Sequence, residues 1–300
     1  LTLRNKICGT VFAAAFLAVQ CLFCGRYDNW KGGLWQSVSI VLLGLACMNF
    51  IPQREFGIKT RQTKASARKL SFRTRTAAAM ILLCIPLTIF IGIYYLGDRK
   101  YYFISLMIIL ETLVPFAMIF EGRKPQAREL VIISVLCAVA VAGRAAFSPL
   151  PQFKPVTAMV IISGICLGGE TGFLVGAVTG FVSNFFFGQG PWTPWQMFSF
   201  GIIGFIAGSL FTKGILRKTR TELCVFGFFA TLVIYGGIMN PASVIMSGTK
   251  LTAPLLLSCY AAGLPFDLIH ALSTMFFLWF AAEPMCEKID RVKQKYGLME

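Results

Sequence analysis

Long, continuous apolar runs constrain the fold of this chain more than any other feature. They approach the roughly 20 residues that a helix needs to cross the hydrocarbon core of a bilayer. Hydrophobic residues make up 56% of the 300-residue chain and charged residues only 14%. A water-soluble domain of this size could not bury so much apolar surface. Because the runs are continuous rather than alternating, we expect an all-α polytopic membrane protein.

About ten transmembrane helices are predicted from these runs. The stretch 251–285 is long enough for two spans, but a second full span there would place the basic C-terminal tail outside. We therefore interpret 251–265, which contains Gly263 and Pro265, as an outer re-entrant or interfacial piece leading into the last span. The predicted spans are 8–25, 34–51, 77–97, 101–120, 130–147, 156–169, 171–187, 195–212, 222–239 and 266–283.

The distribution of lysine and arginine predicts the orientation. If the N-terminus lies in the cytoplasm and the spans alternate, most of the 28 basic residues lie on the cytoplasmic side. We therefore expect a multi-pass protein of the cell membrane with both termini in the cytoplasm. The net charge of +15 reflects this bias and contact with the lipid bilayer, and we expect no nucleic-acid partner.

Polar residues divide the chain near residue 125. Residues 1–124 are predicted to form an accessory region of about four spans with a basic cytoplasmic loop at 52–76. Residues 125–300 are predicted to form a six-span core that contains most of the membrane-embedded polar groups. Within this core, glycines recur every four residues, a pattern for which close helix packing is the favoured interpretation. They are Gly164, Gly168, Gly172, Gly176 and Gly180, with Gly204 and Gly208 in the following span.

Two polar, proline-containing turns in this core, RAAFSPLPQFKP (144–155) and NFFFGQGPWTPWQ (184–196), predict a substrate-binding site at one end of the bundle. Polar groups near the ends of spans are costly unless something satisfies them, so their clustering marks a candidate pocket. We interpret Lys154 as an exposed loop charge. The candidate substrate-binding residues are Arg144, Asn184, Gln189, Trp192, Trp195, Gln196, Asn240, Asp267 and His270.

Several of these residues have a second interpretation. Trp192 and Trp195 are equally typical of interfacial anchors. Arg144 and Asp267 are predicted at similar depth, and we expect them to form an ion pair that shapes the pocket floor. His270 follows Asp267 by one turn on the same face, where a hydrogen-bonded bundle histidine is more common than a metal or cobalt ligand.

The chain lacks the motifs of several other functions. No GxxxxGK[ST] motif is present, so ATP hydrolysis by the P-loop route is excluded for this chain. With a single histidine and no cysteine–histidine cluster, we expect neither a metal site nor a cofactor, and we predict that the chain is not an enzyme. An ion-coupled secondary transporter remains an alternative, for which Glu111 and Asp267 are the available carboxylates. A non-transport integral membrane enzyme or assembly factor is a further one.

Three segments resemble the substrate-binding S component of energy-coupling factor (ECF) transporters. They are RELVIISVLCAVAVAGRAAFSPLPQFKP, GFLVGAVTGFVSNFFFGQGPWTPWQM and LPFDLIHALSTMFFLWFAAEPMCEKIDRVKQKYGL, which together cover about 125–298. The GQGPWTPWQ turn is the most specific part. The resemblance implies a six-span binding protein for a vitamin or related micronutrient, with a transmembrane coupling subunit and two cytoplasmic ATPase subunits as partners.

The resemblance also implies a docking face and a ligand class. An AxxxA pattern on the first core helix of such subunits commonly docks the coupling subunit, and here it corresponds to Ala138 and Ala142. Among S components, this long type most resembles those for cobalamin or related corrinoids. The four additional N-terminal spans depart from the usual six-span pattern.

Overall fold

The chain has two compact units in the computed structural model. One comprises residues 1–55 and 219–221, and the other comprises 56–218 and 222–300. The structure describes residues 79–92, 101–120, 127–247 and 252–297, with helical positions at 7, 10, 11, 13–18, 43, 46 and 76. The first predicted span, 8–25, is described only in part, at 10, 11 and 13–18, and the second span, 34–51, and the basic loop, 52–76, fall almost entirely outside these residues.

Within the described residues the secondary structure is helical, with no strand, which confirms the predicted all-α polytopic membrane class. Five of the helices, α3 and α5 to α8, are long and apolar enough to cross a membrane, and α1 and α4 are shorter apolar helices. The eight helices of this part of the chain are α1 (Met80–Ile91), α2 (Tyr101–Phe120), α3 (Ala127–Ala146), α4 (Val156–Leu167), α5 (Gly169–Phe187), α6 (Trp192–Thr212), α7 (Arg220–Met246) and α8 (Ala253–Tyr296).

Glycines bring the central helices α4, α5 and α6 into backbone contact. A Cβ atom added to Gly172 would lie 2.6 Å from the carbonyl oxygen of Gly204, and one added to Gly176 would lie 2.6 Å from the backbone nitrogen of Gly201. Gly168 separates α4 from α5 with φ 101°, a conformation that other residues rarely adopt. The periodic glycines therefore pack the helices, as the sequence predicts.

The last helix corrects the interpretation of 251–265. Over the described part of this stretch, 252–265, the chain makes no re-entrant break, because α8 is one continuous helix of 44 residues with Pro265 and Pro284 inside it. At 1.5 Å per residue it is about 66 Å long, which is more than the roughly 30 Å of a hydrocarbon core. A proline removes one backbone hydrogen bond, and a membrane helix tolerates that loss when neighbouring groups satisfy the carbonyl.

Helices α1 and α2, which precede residue 125, pack against the predicted core. Buried Ile85 and Ile89 of α1 and Ile104 and Ile108 of α2 belong to one apolar cluster with residues of α5 and α6. The Thr88 hydroxyl of α1 also donates a 2.5 Å hydrogen bond to the Glu111 carboxylate of α2. The division into an accessory region, 1–124, and a core, 125–300, stays a prediction.

Candidate functional site

A cavity of about 270 Å³ lies at the end of the bundle where the 147–155 loop connects α3 to α4. Five helices, α3, α4, α6, α7 and α8, contribute to its walls together with that loop. Every lining residue falls between 144 and 270. The lining residues are Arg144, Pro151, Gln152, Lys154, Val156, Gln196, Phe200, Tyr235, Phe266 and His270.

Arg144 is a buried cation at the C-terminal end of α3, with 9% of its surface exposed. Its Nη1 group donates to the hydroxyl of Ser183 and, at 2.8 Å, to Oδ1 of Asn184. The guanidinium also lies over the Phe187 ring, 4.6 Å from the centroid. These partners on α5 are neutral, so within the described residues no carboxylate balances the arginine charge.

Asn184 links Arg144 to the wall formed by α6 and α7. Its amide nitrogen donates to Oγ1 of Thr193 at 3.0 Å and to Oε1 of Gln196 at 2.9 Å. Gln196 in turn donates from Nε2 to the Tyr235 hydroxyl at 3.2 Å. This series of hydrogen bonds fixes the orientation of the Gln196 amide, which lines the cavity.

Aromatic rings form the inner wall. Phe200 and Tyr235 are stacked with ring centroids 5.1 Å apart, and Tyr235 meets His270 edge-on at 4.6 Å. Tyr235 is the last residue of a π-helical segment, Ala230–Tyr235, within α7, and such segments often occur at functional sites. His270 Nε2 lies 3.0 Å from the Thr157 hydroxyl, whereas Nδ1 has no hydrogen-bond partner in the described part of the chain.

The 147–155 loop covers one side of the cavity. Exposed Gln152 has φ 54°, which is uncommon for a residue other than glycine. Lys154 donates to the Leu150 carbonyl at 3.1 Å, and its ammonium lies 5.4 Å from the centroid of the same Phe187 ring that Arg144 contacts. Partial burial and the nearby Arg144 charge lower the pKa of Lys154. The two cations therefore raise the positive potential of the same small region.

The structure brings only part of the predicted site to the cavity. Arg144, Gln196 and His270 line it, and Asn184 lies behind Arg144, fully buried. Gln189 closes the turn before α6 instead, by donating to the Phe181 carbonyl and accepting from Thr193.

The two predicted tryptophans, Trp192 and Trp195, lie away from the cavity. Trp195 is buried against α1, where Phe90 meets its ring edge-on at 5.6 Å. Trp192 is 39% exposed, and its ring lies close to Gly190. Neither tryptophan lines the cavity.

The predicted ion pair between Arg144 and Asp267 is wrong. Asp267 instead accepts a 2.7 Å hydrogen bond from Asn240, and Arg144 bonds to Ser183 and Asn184. Asp267 faces α7, where a Cβ atom on Gly236 would lie 2.7 Å from its carboxylate. The sequence positions of two residues indicate that they lie at a similar depth in the membrane. They do not show which neighbouring helix each side chain faces.

Sequence reasoning missed most of the aromatic wall and part of the loop. Phe200, Tyr235 and Phe266 sit in apolar runs, where they look like ordinary core residues. The one available signal is the phenol of Tyr235, a polar group inside the predicted span 222–239 that requires a partner. The sequence indicates an exposed loop charge at Lys154, but in the structure this residue lines the cavity.

Comparisons with known proteins match the same part of the chain. The family model of the ECF-type riboflavin transporter S component matches residues 124–277. A UPF0397 protein of Vibrio atlanticus is 28% identical over 134 residues, which cover 42% of this chain and 73% of that protein. A UPF0397 protein of Aliivibrio salmonicida is 31% identical over 137 residues, with the same coverage. No solved structure matches this chain.

Proposed function

The chain belongs to the family of ECF-type transporter S components, and we propose that it captures a vitamin-like molecule outside the cell for an ATP-driven importer. The cavity is the observation that carries this proposal. All of its lining residues lie within the segment 124–277 that the family model matches. In this role the chain binds substrate, and its partner subunits hydrolyse ATP.

The cavity favours a small ligand with a planar apolar part and polar substituents. The stacked pair of Phe200 and Tyr235 offers an aromatic surface, and Gln196, Gln152 and His270 offer hydrogen-bonding groups. Its volume of about 270 Å³ is near the lower limit for small-molecule pockets, about 300 Å³. A corrinoid is far larger than this, so the geometry favours a smaller micronutrient over cobalamin.

Flavins are the first ligands to test. The description of the matching family names riboflavin, whose tricyclic ring could lie against Phe200 and Tyr235 and whose hydroxyl groups suit Gln196 and Gln152. The observations that support a flavin are the chemical type of the lining residues and the size of the cavity. Direct titration with riboflavin, and with other vitamins of similar size, decides the ligand.

An exposed face of α3 supports the proposed partner. Ala138 and Ala142 are both exposed, one helical turn apart, and present only methyl groups. Small residues let a second helix approach closely in a membrane, where close packing drives helix association. We propose that this face contacts the transmembrane coupling subunit, which itself binds two cytoplasmic ATPase subunits. The cavity end then faces the exterior, with both termini in the cytoplasm.

Coexpression tests the proposal directly. The chain is produced with an ECF coupling subunit and its two ATPases, purified, and analysed by mass spectrometry for a bound small molecule. We expect a stable complex, a released ligand of vitamin size, and uptake into proteoliposomes that requires internal ATP. Uptake by the chain alone that follows a proton gradient would favour the secondary transporter instead.

A further inference from the structure

The electrostatics of the cavity indicate a class of ligand. Its two ionised lining residues are Arg144 and Lys154, and no acidic residue is among those that line it. Removing cations from water without an opposite charge is unfavourable. The fold nevertheless keeps both cations around one ring, that of Phe187.

The hydrogen bonds of Arg144 leave donors for a ligand. Its Nη1 group uses both hydrogens on Ser183 and Asn184. Among the described residues, no hydrogen bond involves Nε or Nη2, although only 9% of the residue's surface is exposed and it lines the cavity. A guanidinium with two adjacent donors suits the two oxygens of a carboxylate or phosphate.

Among the described residues, the acidic side chain that lies next in sequence to a lining residue is already engaged. Asp267 lies one residue from the lining residue Phe266, but it accepts a hydrogen bond from Asn240 and does not line the cavity. It is therefore not the counter-ion that Arg144 lacks. A bound anion would supply one.

We propose that the cavity binds its ligand through an anionic group, a carboxylate or a phosphate, held between Arg144 and Lys154. This inference rests on the function proposed above, and it narrows the ligand to an acid. The rest of the ligand lies against Phe200 and Tyr235, which line the same cavity. A lipid headgroup carries the same chemistry, so the test must separate a soluble acid from a lipid.

Simple anions test the proposal without knowledge of the ligand. The full chain is purified in a maltoside detergent free of phospholipid, in chloride buffer, and its thermal unfolding is followed while benzoate or inorganic phosphate replaces chloride at constant ionic strength. We expect either anion to raise the unfolding midpoint by at least about 2 °C. No shift relative to chloride would overturn the proposal.

Charge variants show whether a shift arises in the cavity. Lys154→Gln should abolish at least half of the anion-induced shift. Arg144→Lys, which keeps the charge but loses the planar fork, should weaken it as well. Lys213→Gln is the matched control, because Lys213 is an exposed lysine at the opposite end of α6. An equal shift in wild type, Lys154→Gln and Lys213→Gln would mean a nonspecific salt effect and contradict the proposal.

Matched ligand pairs separate this inference from the proposed function. FMN with riboflavin and nicotinate with nicotinamide each share a ring and differ in charge. We expect any pair that binds to favour its acidic member by at least about tenfold, or about 1.4 kcal/mol. A neutral member that binds equally well would overturn the inference and leave the proposed function intact. Stabilisation by added phosphatidylglycerol but by no soluble acid would assign the cations to lipid and also overturn it.

Discussion

Arg144 of α3 and Asn184 of α5 are joined by a 2.8 Å hydrogen bond inside the bundle, where the asparagine oxygen is one of two acceptors for the guanidinium among the described residues. The same asparagine donates to Thr193 and Gln196 at the start of α6. One neutral side chain thus ties three helices together and holds a cation at the cavity wall.

Replacing Asn184 with alanine should destabilise the chain. The substitution removes three hydrogen bonds and leaves a buried guanidinium with one fewer acceptor, a change that typically costs about 1–3 kcal/mol. Thermal unfolding in detergent measures it. Gln189→Ala is the control, since that amide is only partly buried and also makes two hydrogen bonds. A loss for Gln189→Ala as large as that for Asn184→Ala would contradict the proposed role of Asn184.

Tyr235→Phe should weaken ligand binding with little effect on folding. Tyr235 lines the cavity, and phenylalanine keeps the ring that stacks on Phe200 but removes the hydroxyl that accepts from Gln196. We expect affinity for the ligand, once identified, to fall about five- to tenfold, the equivalent of one hydrogen bond. Fluorescence titration measures the affinity.

Tyr260→Phe is the matched control for this change. Its hydroxyl also makes one hydrogen bond, to the Gly237 carbonyl, but the residue does not line the cavity. Equal losses of affinity for the two variants would show that Tyr235 acts only through general stability.

The class of fold and the position of most helices follow from hydropathy alone. A run such as 101–120 can satisfy its backbone only as a helix in lipid, and the structure begins and ends α2 at those residues. The end of the bundle that carries the cavity was also predictable. Arg144 and Gln196 are polar side chains close to span ends, and such groups are costly unless they serve a site.

The direction in which each side chain points from its helix was not predictable from the sequence. Trp195 and Gln196 are adjacent in the sequence, yet Trp195 packs on Phe90 and Gln196 lines the cavity. About 100° separates successive residues on a helix, so a small rotation of α6 decides which of them meets α1 and which meets the ligand. That rotation depends on the glycine contacts among α4, α5 and α6, which involve residues far apart in the chain.

Gly172→Ala should damage the bundle strongly. The added methyl group would lie 2.6 Å from the Gly204 carbonyl oxygen and 2.7 Å from the Cα of Gly164, both backbone atoms that cannot move independently. Overpacking of this kind typically costs about 1–3 kcal/mol or more. The yield of monodisperse protein and the unfolding midpoint measure the effect.

Gly237→Ala is the matched control, because among the described residues no group beyond its own helical turn lies within 4 Å of the Cβ position at this glycine. Alanine is the better helix former by as much as about 1 kcal/mol, so this variant should be at least as stable as the wild type. A Gly172→Ala variant as stable as Gly237→Ala would mean that α4, α5 and α6 do not pack as closely as the structure shows.

Ala138→Trp and Ala142→Trp should impair assembly with the coupling subunit without affecting ligand binding. Both positions are exposed on α3, so the large side chain fits the isolated chain and obstructs only a helix packed against it. Copurification with the coupling subunit measures assembly, and titration of the isolated chain measures binding. Leu257→Trp on α8 is the control, as Leu257 is 73% exposed. If all three variants assemble normally, the docking face lies elsewhere.

Gln152→Cys should be accessible from outside the cell. Gln152 is exposed on the loop that covers the cavity, and the distribution of basic residues predicts that this loop faces the exterior. A membrane-impermeant maleimide applied to intact cells should therefore label Gln152→Cys above the background of the native cysteines. It should label Lys213→Cys, at the other end of α6, only after the cells are opened. The reverse pattern would place the cavity on the cytoplasmic side, where capture of an external nutrient is impossible without a further conformational step.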